Sequence, residues 1–248
     1  MIALVAKPPA AAMLASGLPQ NFFHNRKGAS DCVASNGTFC AGWAADNIDR
    51  YIGPALKQAY MVSLSVAIGF SIAMCLAILS HRRRWLIPPL TGATGILYTV
   101  PSLAFFSLLL PITGFGTDTA VIALSAYTLQ IIYRNIAAGL ANVPPEAKDA
   151  GLGMGMTPRQ LLWRVELPLA VPEIVAGLRI ATVSTVALAT LAFFAGAGGL
   201  GAEIYSDLTF KTNILVAGAL VIAMAIAFDL LLLGTQRLAT PWRRARTP

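Results

Sequence analysis

LKQAYMVSLSVAIGFSIAMCLAILS, residues 56–80, is a run whose only charge is Lys57 at its edge. A helix needs about 20 predominantly apolar residues to cross the hydrocarbon core of a bilayer. Four more runs, 91–112, 119–140, 174–194 and 214–233, share that length and character. They lack the period-two alternation of a membrane β-barrel strand, and lipid does not tolerate an open backbone, so all are predicted to be helices. Of the 248 residues 56% are hydrophobic and 12% charged, against about 25% charged in a soluble domain. Soluble, disordered and collagen-like chains are excluded. The expected fold class is an all-α integral membrane protein with five transmembrane helices.

The net charge of +7 would point to nucleic acid in a soluble protein, so the placement of the basic residues decides their meaning. Arg82, Arg83 and Arg84 follow the first run directly. Arg237, Arg243, Arg244 and Arg246 follow the fifth, and Lys148, Arg159 and Arg164 lie between the third and fourth. Five spans put all three groups on one side, which the bias of Lys and Arg towards the cytoplasm makes the inner one. The short connections 113–118 and 195–213 carry Lys211 beside Asp118, Glu203 and Asp207 and belong outside. The N-terminus is then predicted outside and the C-terminus inside. The basic residues face headgroups, and no nucleic-acid partner is expected.

Residues 1–55 differ in composition, with Pro8, Pro9 and Pro19 and no apolar run of spanning length. They read as an extracytoplasmic tail or small cap ahead of a transmembrane domain, 56–248. Residues 10–17 faintly resemble the end of a signal peptide, although Lys7, Pro8 and Pro9 interrupt the run before them. Cys32 and Cys40 are eight apart around Asn36 and Gly37, a spacing that permits a small disulfide loop. Cys75, inside the first run, reads as a small buried apolar side chain.

The segment 142–172 is far longer than a helix-to-helix turn requires. Pro144 and Pro145 can open a short helix carrying Glu146 to Ala150, which Gly151, Gly153 and Gly155 weaken and stop. Thr157-Pro158-Arg159-Gln160 is a capping box with proline at the first helical position. It predicts a second short helix that ends at Pro168. Such a paired-helix elbow suits pressing against another protein.

Read as Asp149-Ala150-Gly151, then Gly155, then Val165-x-Leu167-Pro168, the elbow resembles the EAA loop of permease subunits in binding-protein-dependent ABC importers. Asp149 stands where that family usually has Glu, and Gly151 where it has a second Ala. The likeness extends over about residues 101–208. With Ala176-Gly177-Leu178-Arg179 and the glycine run 196–201, it is strongest to the glycine betaine, carnitine, choline and proline subgroup. The resemblance implies the type I importer fold of methionine-permease-like subunits and places the chain in the inner membrane of a prokaryote. It makes Asp149, Ala150, Gly151, Leu152, Gly153, Met154, Gly155, Met156, Leu167 and Pro168 the docking loop for an ATPase. The implied partners are two ATP-binding subunits, a second permease chain, an extracytoplasmic substrate-binding protein and membrane lipid.

None of the five lysines lies in a phosphate-binding G-x-x-x-x-G-K-[ST] loop; Lys211-Thr212 comes nearest but has Phe210 in place of the glycine. ATP and Mg are therefore expected on the partner, with no cofactor, metal or catalytic residue on this chain. The glycine run 196–201 reads as a tight turn beyond the fourth span, with closure of the outer mouth as a second role. Arg134, Arg179 and Asp229 are charged residues inside spans, costly unless they face protein or water. Counting from the predicted inner ends at 1.5 Å per residue, all three lie about 10 to 12 Å deep. Asp229 is expected to neutralise Arg179 or Arg134, the alternative being that both arginines snorkel to the headgroups.

For a quaternary ammonium permeant, aromatic faces are the natural contact. Tyr98, Phe105 and Tyr127 sit at middle depth, and Pro101 should bend the second span and free a carbonyl for the pathway. Simple interface packing is the alternative. Competing functions are an importer of methionine or another amino acid and, outside the class, a channel or ion-driven transporter, for which internal repeats, broken helices and a midplane acidic residue would be expected, and none is read in the sequence.

Overall fold

A computed structural model describes residues 31–240. The signal-like run 10–17 and Arg243, Arg244 and Arg246 lie outside the described residues. Among the described residues eleven α-helices follow one another: α1 (Asp31–Ala34), α2 (Ala41–Asp46), α3 (Asp49–Arg82), α4 (Ile87–Thr99), α5 (Ser102–Thr113), α6 (Thr117–Ala141), α7 (Pro145–Gly153), α8 (Pro158–Leu161), α9 (Leu167–Ala189), α10 (Leu200–Ser206) and α11 (Lys211–Ala239). No strand occurs among the described residues.

The first apolar run forms the middle of α3, a 34-residue helix that starts seven residues before residue 56. Pro54 lies in the second turn, where its missing N–H leaves only the carbonyl of the exposed Arg50 without a helical partner. The second run does not bend at Pro101 but breaks there. Val100 is extended before the proline, and α4 and α5 meet at 95°, because a residue preceding proline is pushed out of the helical region.

α3, α11 as Lys211–Leu238 and the stretch Pro158–Ala189 are each long and apolar enough to cross a membrane, and the bent pair would make a fourth crossing. Length and apolarity thus mark three or four spans where the sequence reading counts five; the difference is α6. Fourteen of its 25 residues are buried in the protein, Gln130 and Thr128 among them. A helix sheathed by its neighbours carries polar side chains that a lipid-facing one would not.

α6 is the centre of the fold, packed against α3, α9, α4 and α5. Small residues set these approaches: a Cβ on Gly69 would lie 1.9 Å from Thr128 Oγ1, and one on Gly177 2.2 Å from Asn135 Cβ. Two apolar clusters fill the interior. One joins Met61, Phe106, Leu124 and Val186 near the start of α6; the other joins Ala77, Tyr133, Ile136, Leu140, Leu162 and Leu167 near its end. Cys75 is exposed on α3, contrary to the buried side chain expected of it, because Ala73 and Ala77 occupy the packed face.

Candidate coupling site

Pro144 and Pro145 open α7, and the capping box is formed at α8. The Gln160 N–H donates to Thr157 Oγ1 at 3.3 Å, and Thr157 N–H donates to Gln160 Oε1 at 2.8 Å. Between them the chain turns at Gly155, whose φ of 77° suits glycine. The expected stop at Pro168 is not there. A π-helical turn, Leu162–Glu166, carries α8 straight into α9, with Pro168 in the first turn of α9. Proline has no N–H to donate, and the wider turn accommodates its ring without breaking the helix.

The elbow divides into an exposed tip and a buried root. Asp149, Ala150, Gly153 and Gly155 are exposed, as are Leu152 (51%) and Met154 (70%), while Met156 is half-buried. Two exposed apolar side chains close in sequence to one exposed carboxylate form the tip of the elbow. Gly151 and Leu167 are buried, and Pro168 is half-buried, so they support the elbow from within. A Cβ on Gly151 would lie 2.6 Å from Leu161 Cδ1, so a larger residue there requires the buried Leu161 side chain to shift.

The root contains a residue to which the sequence reading assigns no role. Glu166 is 5% exposed and accepts from His81 Nε2 at 2.9 Å, with Lys148 Nζ at 3.5 Å. Its signal in sequence was a lone acid inside the otherwise apolar and basic stretch before Leu167.

At the opposite end of the bundle the glycine run forms a tight turn between α9 and α10. It is held by Gln58, a second residue the sequence reading passes over. Gln58 is fully buried in α3; it accepts the Leu200 N–H at 2.9 Å and donates to the Val186 carbonyl and to Thr190 Oγ1. Arg50 Nε donates to Glu203 at 2.6 Å, and the Tyr51 hydroxyl donates to Asn213 at 2.6 Å. Cys32 and Cys40 form a disulfide. Their loop is seated on the turn before α11: Asn36 donates to the Thr209 carbonyl at 2.7 Å, and Trp43 meets Phe210 edge-on at 4.7 Å.

Of the three intramembrane charges the structure joins two. Arg179 grips Asp229 with both arms of its fork, Nε to Oδ1 at 2.8 Å and Nη2 to Oδ2 at 2.7 Å. Arg134 is exposed, with no ion pair among the described residues. Asp229 also borders an apolar cleft of about 460 Å³ between α9 and α11, lined by Val183, Val186, Val221 and Ile226.

The aromatic candidates are together at the break in the second run. Tyr98 and Phe105 both meet Tyr127 edge-on, at 5.9 and 5.6 Å. The Val100 carbonyl, left without a helical partner by the break before Pro101, accepts from the Tyr127 hydroxyl. Phe105 and Tyr127 are buried, leaving the 45% exposed Tyr98 as the accessible ring of the three. Among the described residues no group of three or more His, Cys, Asp or Glu side chains is arranged to hold a metal ion.

Comparison with known proteins gives this architecture its context. The family of binding-protein-dependent transport system inner membrane components matches residues 65–244. The osmoprotectant import permease protein OsmW of Salmonella typhimurium is 36% identical over 203 residues, 79% of this chain and 94% of that protein. The choline transport system permease protein OpuBD of Bacillus subtilis is 34% identical, over 86% of this chain and 91% of that one. Among solved structures, an inward-facing MetNI methionine ABC transporter shares the fold with a TM-score of 0.66 at 22% identity, covering 80% of this chain and 96% of that one. The chain is thus a multi-pass inner-membrane protein and belongs to the binding-protein-dependent transport permeases, the membrane subunits of ABC importers.

Proposed function

We propose that this permease conducts quaternary ammonium osmolytes of the glycine betaine, carnitine, choline and proline class, driven by ATP hydrolysis on separate subunits. The observation that carries the coupling is the exposed tip of Leu152 and Met154, close in sequence to Asp149, standing on a buried root. Outside the apolar spans, exposed side chains of that size are what a docked partner would cover. On this reading two ATP-binding subunits receive the elbows of two permease chains, ATP and Mg stay on those subunits, and a substrate-binding protein delivers cargo to the opposite face. This chain holds no cofactor of its own. The spans number five, α6 included, with the glycine turn and the 1–55 segment outside and the elbow, 142–172, inside.

The cargo class is supported by the osmoprotectant and choline permeases described above and by the ring cluster at Tyr98. A quaternary ammonium has no N–H to donate, and an aromatic face within about 6 Å holds it electrostatically. Tyr98 is the ring placed to do so. Tyr127 fixes it edge-on and is itself met edge-on by Phe105, while Pro101 breaks the helix beside it.

The test is Asp149→Arg in the importer reconstituted with its ATPase and binding protein. The membrane helices should remain inserted while uptake of labelled glycine betaine and choline falls by roughly tenfold or more per ATP hydrolysed. Unchanged uptake would remove the docking assignment. Uptake of labelled methionine in preference to both osmolytes would remove the cargo assignment.

A further inference from the structure

We propose that Glu166 is a positioning residue for coupling, the latch through which the elbow moves the long helix α3. Among the described residues it is the one buried Asp, Glu, Lys or Arg. A carboxylate is removed from water only at considerable cost unless it is paired, and here the pairing joins three elements. Glu166 ends the π turn that leads into α9. His81 lies in the last turn of α3, and Lys148 lies on α7 immediately before Asp149. A carboxylate can only accept, so His81 Nε2 carries the hydrogen at 2.9 Å. The second oxygen faces Lys148 Nζ at 3.5 Å. Displacing α7 therefore either drags Glu166 and His81 with it or strands a buried charge.

The surroundings leave room for such a shift. A cleft of about 290 Å³, lined by Ser80, His81, Arg84 and Lys148, borders the latch. A second, of about 560 Å³, is lined by His81, Arg82, Thr157, Arg159 and Glu166. His81 lines both. From His81 α3 runs unbroken back to Gln58, about 35 Å at 1.5 Å per residue. Gln58 holds the Leu200 N–H of the glycine turn. One rigid element thus connects the carboxylate at the elbow to the turn at the opposite face.

This inference rests on the elbow being the docking site, and its test separates the two. In vesicles holding the permease with its ATPase and binding protein, two quantities are measured: the ATPase retained on purification, and the ATP hydrolysed per labelled choline or glycine betaine moved. Glu166→Gln keeps the shape and removes the charge. It should leave assembly intact and raise ATP per osmolyte roughly tenfold. His81→Gln should do the same, and the two together should be no worse than either alone, as expected of one shared device. The latch is overturned if the ratio stays at the wild-type value, if the two effects add, or if only the amount of assembled complex falls. Should Glu166→Gln fail to accumulate, His81→Gln alone decides by the same ratio. An Asp149→Arg control that leaves ATPase retention and the ratio unchanged would instead remove the docking reading itself.

Discussion

The two ends of the bundle are built on opposite principles. At the glycine turn every polar group named above has a partner within the chain. Gln58 makes three hydrogen bonds, Arg50 and Tyr51 reach Glu203 and Asn213, and the disulfide loop covers Phe210. The elbow keeps its only buried charge at the root and leaves Leu152 and Met154 outside. The first end is a finished wall in its polar bonding, although Phe39, Phe115, Phe194 and Tyr205 are exposed on its surface. On the proposed reading the elbow is half of a joint.

Substitutions sharpen that contrast, the largest effect coming from the finished wall. A Cβ on Gly201 would lie 1.7 Å from the Thr190 carbonyl oxygen, a backbone atom that cannot move aside. Gly201→Val should abolish accumulation of folded permease, read by size-exclusion of the detergent-solubilised protein; a normal peak would show that the turn yields. Asp229→Asn comes next, because it leaves the Arg179 fork without its counter-charge within the spans. The melting temperature should fall, and adding Arg179→Met should restore most of it. If the double variant melts lower still, the pair is not what holds α9 to α11.

Gln58→Leu is smaller. It leaves the Leu200 N–H without its acceptor, and a buried unsatisfied donor costs about 1–3 kcal/mol. That loss should appear in denaturation of the purified permease while the ATPase still co-purifies. Loss of the ATPase alone would mean that the two ends are not separate in kind.

The helical class, the apolar runs and the elbow were legible because each rests on local signals: run length, proline and glycine placement, and the Thr157–Gln160 capping pattern. The partnership of Arg179 with Asp229 was half legible. Equal depth narrowed the choice to two arginines, but the packing of α11 against α9 selected Arg179, while Arg134 on α6 stayed exposed. The continuous passage through Pro168 was not legible, since a π turn leaves no residue pattern comparable to a cap. The break at Pro101 was underestimated for a related reason. Proline marks an interruption, whereas the 95° angle is set by the packing of α4 and α5 against α6. Glu166 and Gln58 stayed hidden because their partners lie 85 and 142 residues away in the chain.

The most direct measurement places a photo-activated cross-linking residue at Met154 in membranes that also hold the ATPase, with Tyr205, exposed near the glycine turn, as the matched control. The joint account predicts an ATPase adduct from position 154 and none from 205. An adduct from 205, or none from 154 when the ATPase co-purifies with the permease, would contradict it.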